Sequence, residues 1–421
     1  MSRISFTARA HTLLLGVAGF ALIPFVPLHA QQEEGPVLAG SDQVDRQLAD
    51  DAGPKDPLLT LGFLSPWKEF KAGLKADHGL GFGIDYSSQV FSTNSELNEG
   101  QASSGMLRLF GSWELVGRES GNTGALVFKG EHRHAYSAVA PMALSFDVGY
   151  AGITAGPFSD QGLRLTNLYW RQALGQGRFV LLGGFLDATD FVDIYGLASP
   201  WLHFSNLAFS TGSSSIGLPN DALLGVAAAA WLSDQIYTIA HIGDNGADPT
   251  DPFSGFDRFV NTNEYFKSIE LGWTTERARA YFDNVHMTFW HSDEKSVAGD
   301  PSGWGVNVSG TTYINDKIMP FVRGGYAKDA GSLLELSLSG GVGYQAVPGR
   351  DLLGLAANWG RPNATTWGDG LSDQVTFEAF WRWYVGEQIA VTPSLQFLIN
   401  PALNPDESSV VAFGLRGRFV L

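Results

Sequence analysis

The chain has 421 residues, no cysteine and a formal net charge of −16, which excludes disulfide frameworks and metal–thiolate sites and makes nucleic acid a poor partner. Its glycine and aromatic load is high, with Gly 51, Phe 28, Trp 12 and Tyr 12, as many short strands joined by tight turns require. Length alone allows about two or three soluble domains, or one large barrel.

Residues 1–30 read as a secretory signal peptide. Arg3 and Arg9 give a positive start, Leu13–Leu28 is an apolar run, and Leu28-His29-Ala30 places a small residue at the cut, predicting cleavage after Ala30. A membrane anchor is the competing reading, but the run is short and broken by Pro24 and Pro27. Loss of Arg3 and Arg9 moves the formal charge from −16 to −18. Residues 31–66 are acidic, contain Pro36, Pro54 and Pro57, and show no sustained period, which predicts a flexible periplasmic lead-in. Over 67–79, Trp67, Phe70 and Leu74 recur at helical spacing among Lys68, Glu69, Lys71 and Lys75, predicting a short amphipathic periplasmic helix.

Past Ala30 no apolar stretch approaches the ~20 residues that a membrane helix needs. From Leu80 the period is two. Leu107, Leu109, Trp113 and Leu115 oppose Arg108, Ser112 and Glu114, and Val375, Phe377, Ala379, Trp381 and Trp383 oppose Thr376, Glu378, Arg382 and Tyr384. The predicted strands are 80–91, 105–117, 122–136, 163–173, 178–187, 221–231, 235–243, 265–274, 280–290, 303–313, 317–327, 333–344, 351–359, 373–385, 387–398 and 409–421. Ser145–Tyr150 is strand-like too, but counting it would make the total odd, so it stays in a connection. A soluble sandwich shares the alternation. It has no reason to alternate short and long connections, which is the habit of outer-membrane barrels. The sequence therefore predicts an all-β fold, a transmembrane sixteen-stranded antiparallel barrel over 80–421, exported to a Gram-negative outer membrane with lipid and lipopolysaccharide outside. Arg108, Arg133, Arg382, Arg416 and Arg418 sit opposite apolar faces. An arginine facing mid-bilayer lipid would cost roughly 2–4 kcal/mol, so these must face a wet lumen.

Several segments then resemble a known family. Arg108-Leu109-Phe110-Gly111-Ser112-Trp113, Phe128-Lys129-Gly130-Glu131-His132-Arg133-His134, Leu165-Thr166-Asn167-Leu168-Tyr169-Trp170-Arg171-Gln172 and Thr392-Pro393-Ser394-Leu395-Gln396-Phe397-Leu398-Ile399-Asn400-Pro401 are similar to the carbohydrate-selective porins of the OprB type. The likeness runs from about Trp67 to Leu421. It implies a periplasmic helix before a sixteen-stranded barrel and diffusion of small sugars such as monosaccharides through a narrow eyelet. The eyelet residues it implies, arginines, a glutamate and an aromatic against the sugar, fall on Arg108, Glu131, Arg133 and Trp170.

The residues themselves leave choices open. Glu131 and Arg133, two apart on one strand, share a face and could serve a polyol or merely stiffen the wall. Trp170 shares its predicted side with Arg164, Thr166 and Gln172, yet it could equally be an interfacial aromatic. The longest connection, 188–220, is the candidate constriction loop, and its Asp190 and Asp193, with Asp187, have the spacing of an ordinary solvated surface. Asp244-Asn245-Gly246-Ala247-Asp248-Pro249-Thr250-Asp251 lacks the glutamate of a calcium loop and contains Pro249. Ser213-Ser214-Ser215 lacks nucleophile-elbow glycines, and the nine histidines form no zinc motif, so no enzyme, metal or cofactor is expected. A general-diffusion porin is the alternative on the same barrel, and three barrels or one would satisfy the sequence.

Overall fold

The computed structural model describes residues 40, 42–60 and 64–421. The expected signal peptide and residues 31–39, 41 and 61–63 of the lead-in lie outside those residues. Sixteen antiparallel strands close into a barrel in which each pairs with its sequence neighbours and β1 pairs with β16. They are β1 Leu80–Thr93, β2 Gln101–Val116, β3 Gly124–Ala135, β4 Gly162–Leu174, β5 Phe179–Leu186, β6 Leu223–Trp231, β7 Ile236–Asp244, β8 Tyr265–Thr274, β9 Asn284–Ser292, β10 Gly303–Thr311, β11 Ile318–Lys328, β12 Leu334–Tyr344, β13 Asp351–Pro362, β14 Gln374–Gly386, β15 Ile389–Ile399 and β16 Ser409–Val420. Each predicted strand has its counterpart, and Ser145–Tyr150 holds a short helix at Leu144–Asp147. Closure satisfies every strand edge, as a hydrocarbon environment demands.

The two faces sort as the alternation requires. On β2, Met106, Arg108, Phe110 and Ser112 are buried in the lumen, while Leu107, Leu109, Trp113 and Leu115 are exposed outside. The hairpin turns lie at one end, which in such barrels faces the periplasm, and the long connections 136–161, 187–222 and 245–264 lie at the other.

Two helices precede the barrel. α2, Ser65–His78, ends on Gly79, whose positive φ of 74° turns the chain into β1. It is tied to the short-turn end by Lys75–Glu114 at 2.8 Å and by Lys71 Nζ donating to the Leu421 carbonyl at 2.6 Å. α1, Val44–Ala52, corrects the expectation of a flexible lead-in. Its nine residues are too few to show a convincing period in the sequence, and a helix that short is held by its surroundings rather than by propensity.

Candidate functional site

The lumenal wall carries a row of alternating charge. Register places Asp85 of β1 opposite Arg108 of β2, Arg108 opposite Glu131 of β3, and Glu131 opposite Arg164 of β4. Strand geometry alone therefore puts four side chains of alternating sign side by side on one face. Arg108 Nε donates to Asp85 Oδ1 at 2.8 Å, and Arg418 Nε donates to Asp85 Oδ2 at 2.7 Å. Arg133, two residues beyond Glu131, donates from Nε to Glu131 Oε2 at 2.8 Å and lies 3.4 Å from Asp221. Arg164 donates to the same Asp221 at 2.5 Å. Lys129 lies 3.6 Å from Asp187 and 3.5 Å from Asp190.

The connection 188–220 folds inward onto this row. It brings Trp201 over the wall, with its ring centroid 4.7 Å from the Arg108 guanidinium carbon and 5.3 Å from that of Arg133. The opposite wall holds the loop in place. Arg323 donates to the Ser210 carbonyl at 2.6 Å and the Asp193 carbonyl at 2.9 Å. Glu378 accepts from the Ser205 and Asn206 amides at 2.7 and 2.9 Å, and Arg416 donates to the Pro200 and His203 carbonyls at 2.7 Å. The 136–161 connection enters too, with Tyr150 donating to Asn206 at 3.3 Å.

Arg108, Glu131 and Arg133 thus lie together inside the barrel, but Trp170 does not join them. It is 38% exposed on the outer face. The cause is a β-bulge: Lys129 pairs with Asn167 and Gly130 with Leu165, leaving Thr166 as an extra residue on β4. Thr166 and Asn167 both point inward, so beyond them the alternation reverses and Tyr169 and Arg171 face the lumen. Trp170 is an outer-wall aromatic, and Trp201 is the indole that lies inside the barrel over Arg108 and Arg133.

The acidic trio also differs from a solvated surface. Asp187, Asp190 and Asp193 are 7%, 2% and 1% exposed because they answer lumenal cations, Asp193 meeting both Arg323 and His286. In the 245–264 connection, Asp248 accepts from the Thr250 hydroxyl and from its amide at 2.8 Å, which holds its carboxyl below the usual range. Asp244 at its start is turned to Arg258 at 3.0 Å, so these carboxylates serve the loop's own turns. Asp85 and Asp221 were legible only as polar residues; hairpin register would have found Asp85 opposite Arg108.

The model of the carbohydrate-selective porin family, OprB, matches residues 68–421. No functionally curated protein matches the chain. Among solved structures, Pseudomonas putida OprB at high pH is 12% identical with a TM-score of 0.67, covering 87% of this chain and 99% of its own. The low-pH form of the same protein gives a TM-score of 0.52 at 12% identity, covering 88% of this chain and 100% of its own. A triple mutant of Rhodopseudomonas blastica porin, also 12% identical, gives 0.52 and covers 81% of this chain and 100% of its own. At such identities the structural likeness speaks for the barrel, and the sequence match for the family. The chain belongs to the carbohydrate-selective porin family, OprB, and is a sugar-preferring channel of the outer membrane.

Proposed function

We propose that small sugars cross by passive diffusion through an eyelet bounded by Arg108, Glu131 and Arg133 on the wall and Trp201 on the inward loop. The observation that carries this reading is the indole suspended over the guanidiniums of Arg108 and Arg133, each of which is paired with a carboxylate. A pyranose has polar edges and an apolar C–H face. Arginine N–H groups can donate to its hydroxyls, carboxylate oxygens can accept from them, and the indole offers a flat apolar surface. Each hydroxyl exchanges a water hydrogen bond for a protein one, a net gain of roughly 0.5–1.5 kcal/mol and somewhat more with a charged partner. Weak binding of that order suits a pore, which must admit its solute and release it. The balance of Asp85, Glu131 and Asp221 against Arg108, Arg133 and Arg164 offers donors and acceptors without a single ionic sign.

The test is liposome swelling with glucose against an uncharged non-sugar solute of similar size. Glu131→Gln leaves Arg133 with the more distant Asp221 alone, so anion conductance should rise and glucose preference fall, and Arg108→Ala should lower glucose preference as well. Unchanged glucose preference and unchanged ion selectivity in both variants would make the row wall structure and the eyelet wrong. Export follows the same reading: mass spectrometry of the outer-membrane form should place the mature N-terminus at Gln31, and an intact leader would contradict it.

A further inference from the structure

The family match begins at residue 68, yet α1, which precedes it, lies inside the lumen. Its route can be followed contact by contact. The Gly40 amide donates to the Asp190 carbonyl at 3.0 Å, and a Cβ on Gly40 would stand 2.3 Å from that oxygen, so only glycine lets the chain pass so closely. Lys129 and Gln47 both donate to the Asp42 carbonyl, at 3.4 and 3.0 Å. Val44 is fully buried in the cluster containing Phe110, Tyr169 and Phe191. Asp45 pairs with Arg171 of β4, and Asp51 receives both terminal nitrogens of Arg418 at 2.7 and 2.8 Å. Arg46 lies over the Tyr281 ring at 4.3 Å, in a short turn, and the chain leaves the lumen where the Asp56 amide donates to Gly349 in another.

We infer that residues 42–52 are a second constriction, in the short-turn half of the lumen, and that Asp45 and Asp51 set the charge of the solute path there. Arg171 and Arg418 without them would leave that half of the pore positive. Asp51 also ends a chain of ion pairs running through Arg418 and Asp85 to Arg108, so the helix is joined to the row above it. A nine-residue helix has little stability of its own, which makes its seat in the lumen depend on these side chains. The inference requires that the barrel conduct, whichever solute the eyelet prefers.

The test is single-channel conductance and reversal potential in a potassium chloride gradient. Three proteins are compared with the parent: a deletion of 42–52, Asp45→Asn/Asp51→Asn, and Gly40→Val. A helix is about 10 Å across with its side chains, so its removal should raise conductance by roughly twofold or more. The double asparagine variant keeps the helix backbone and should shift the reversal potential toward anions with a smaller change in conductance. Gly40→Val should raise conductance by unseating the segment. Heat-modifiable migration on gels verifies closure of each barrel, and a deletion that fails to close leaves the decision to the two substitutions. Parental conductance and reversal potential in every variant that closes would overturn the inference. Glucose preference in Glu131→Gln and Arg108→Ala, in which the segment is intact, reports on the eyelet separately.

Discussion

The two walls of the lumen use the same residue types at the same depth of burial for different ends. On the wall from β8 to β16, Arg323, Glu378 and Arg416 are bonded to the inward loop, through its backbone at Ser210, Ser205, Asn206, Pro200 and His203 and, for Arg323, the Asp193 carboxylate. On the wall from β1 to β4, Asp85, Arg108, Glu131, Arg133 and Arg164 are paired with other side chains, and an indole stands over them. Lumenal charge alone therefore does not mark a site. A side chain bound to loop backbone has a fixed partner whose replacement breaks the fold locally. On the wall of paired side chains Arg108 Nη1 and Glu131 Oε1 have no hydrogen-bond partner among the described residues, so a passing hydroxyl can bond to them without breaking a pair.

This contrast is open to direct test, and the largest effect belongs to the anchoring wall. Arg323 is 1% exposed against Asp193, and it also lies 4.2 Å from the Tyr195 ring centroid. Arg323→Ala leaves the buried Asp193 carboxylate with His286 and the Gly212 amide but no arginine, and losing one partner of a buried pair costs about 3–5 kcal/mol. The thermal transition of the purified barrel should fall and the open-channel current should become noisy as the loop loosens. An unshifted transition would mean that the loop is held elsewhere. At the other extreme, Trp170→Leu exchanges one apolar outer-wall side chain for another. Glucose permeation and ion selectivity should stay parental, within the few tenths of a kcal/mol typical of surface changes. A loss of glucose preference there would restore Trp170 to the lumen and refute the bulge at Thr166.

Legibility in the sequence follows the same physical line. Strand positions were readable because lipid outside and water inside impose a period of two on every strand, as on β2 and β14. The inward loop was readable from the length of 188–220. Position within the lumen was less so. One extra residue at Thr166 reversed the side of Trp170, since a strand's facing depends on an uninterrupted count. Trp201 gave no periodic signal because it sits in a loop whose path is set by Arg382, Arg416 and Glu378, more than a hundred and seventy positions away in sequence. α1 was hidden for the same reason: Asp51 is stabilised by Arg418, 367 positions further on.

On the proposed reading, the indole of Trp201, over Arg108 and Arg133, gives the channel its preference for sugar. This is tested most directly by recording potassium chloride current through single channels while glucose is titrated in. The parent channel should show a saturable reduction of current. Covering about 40 Å² of a sugar's apolar C–H face contributes about 1 kcal/mol, so Trp201→Ala should weaken the glucose-dependent reduction by roughly fivefold while the barrel stays closed. A Trp201→Ala channel with the same glucose titration as the parent would contradict the account.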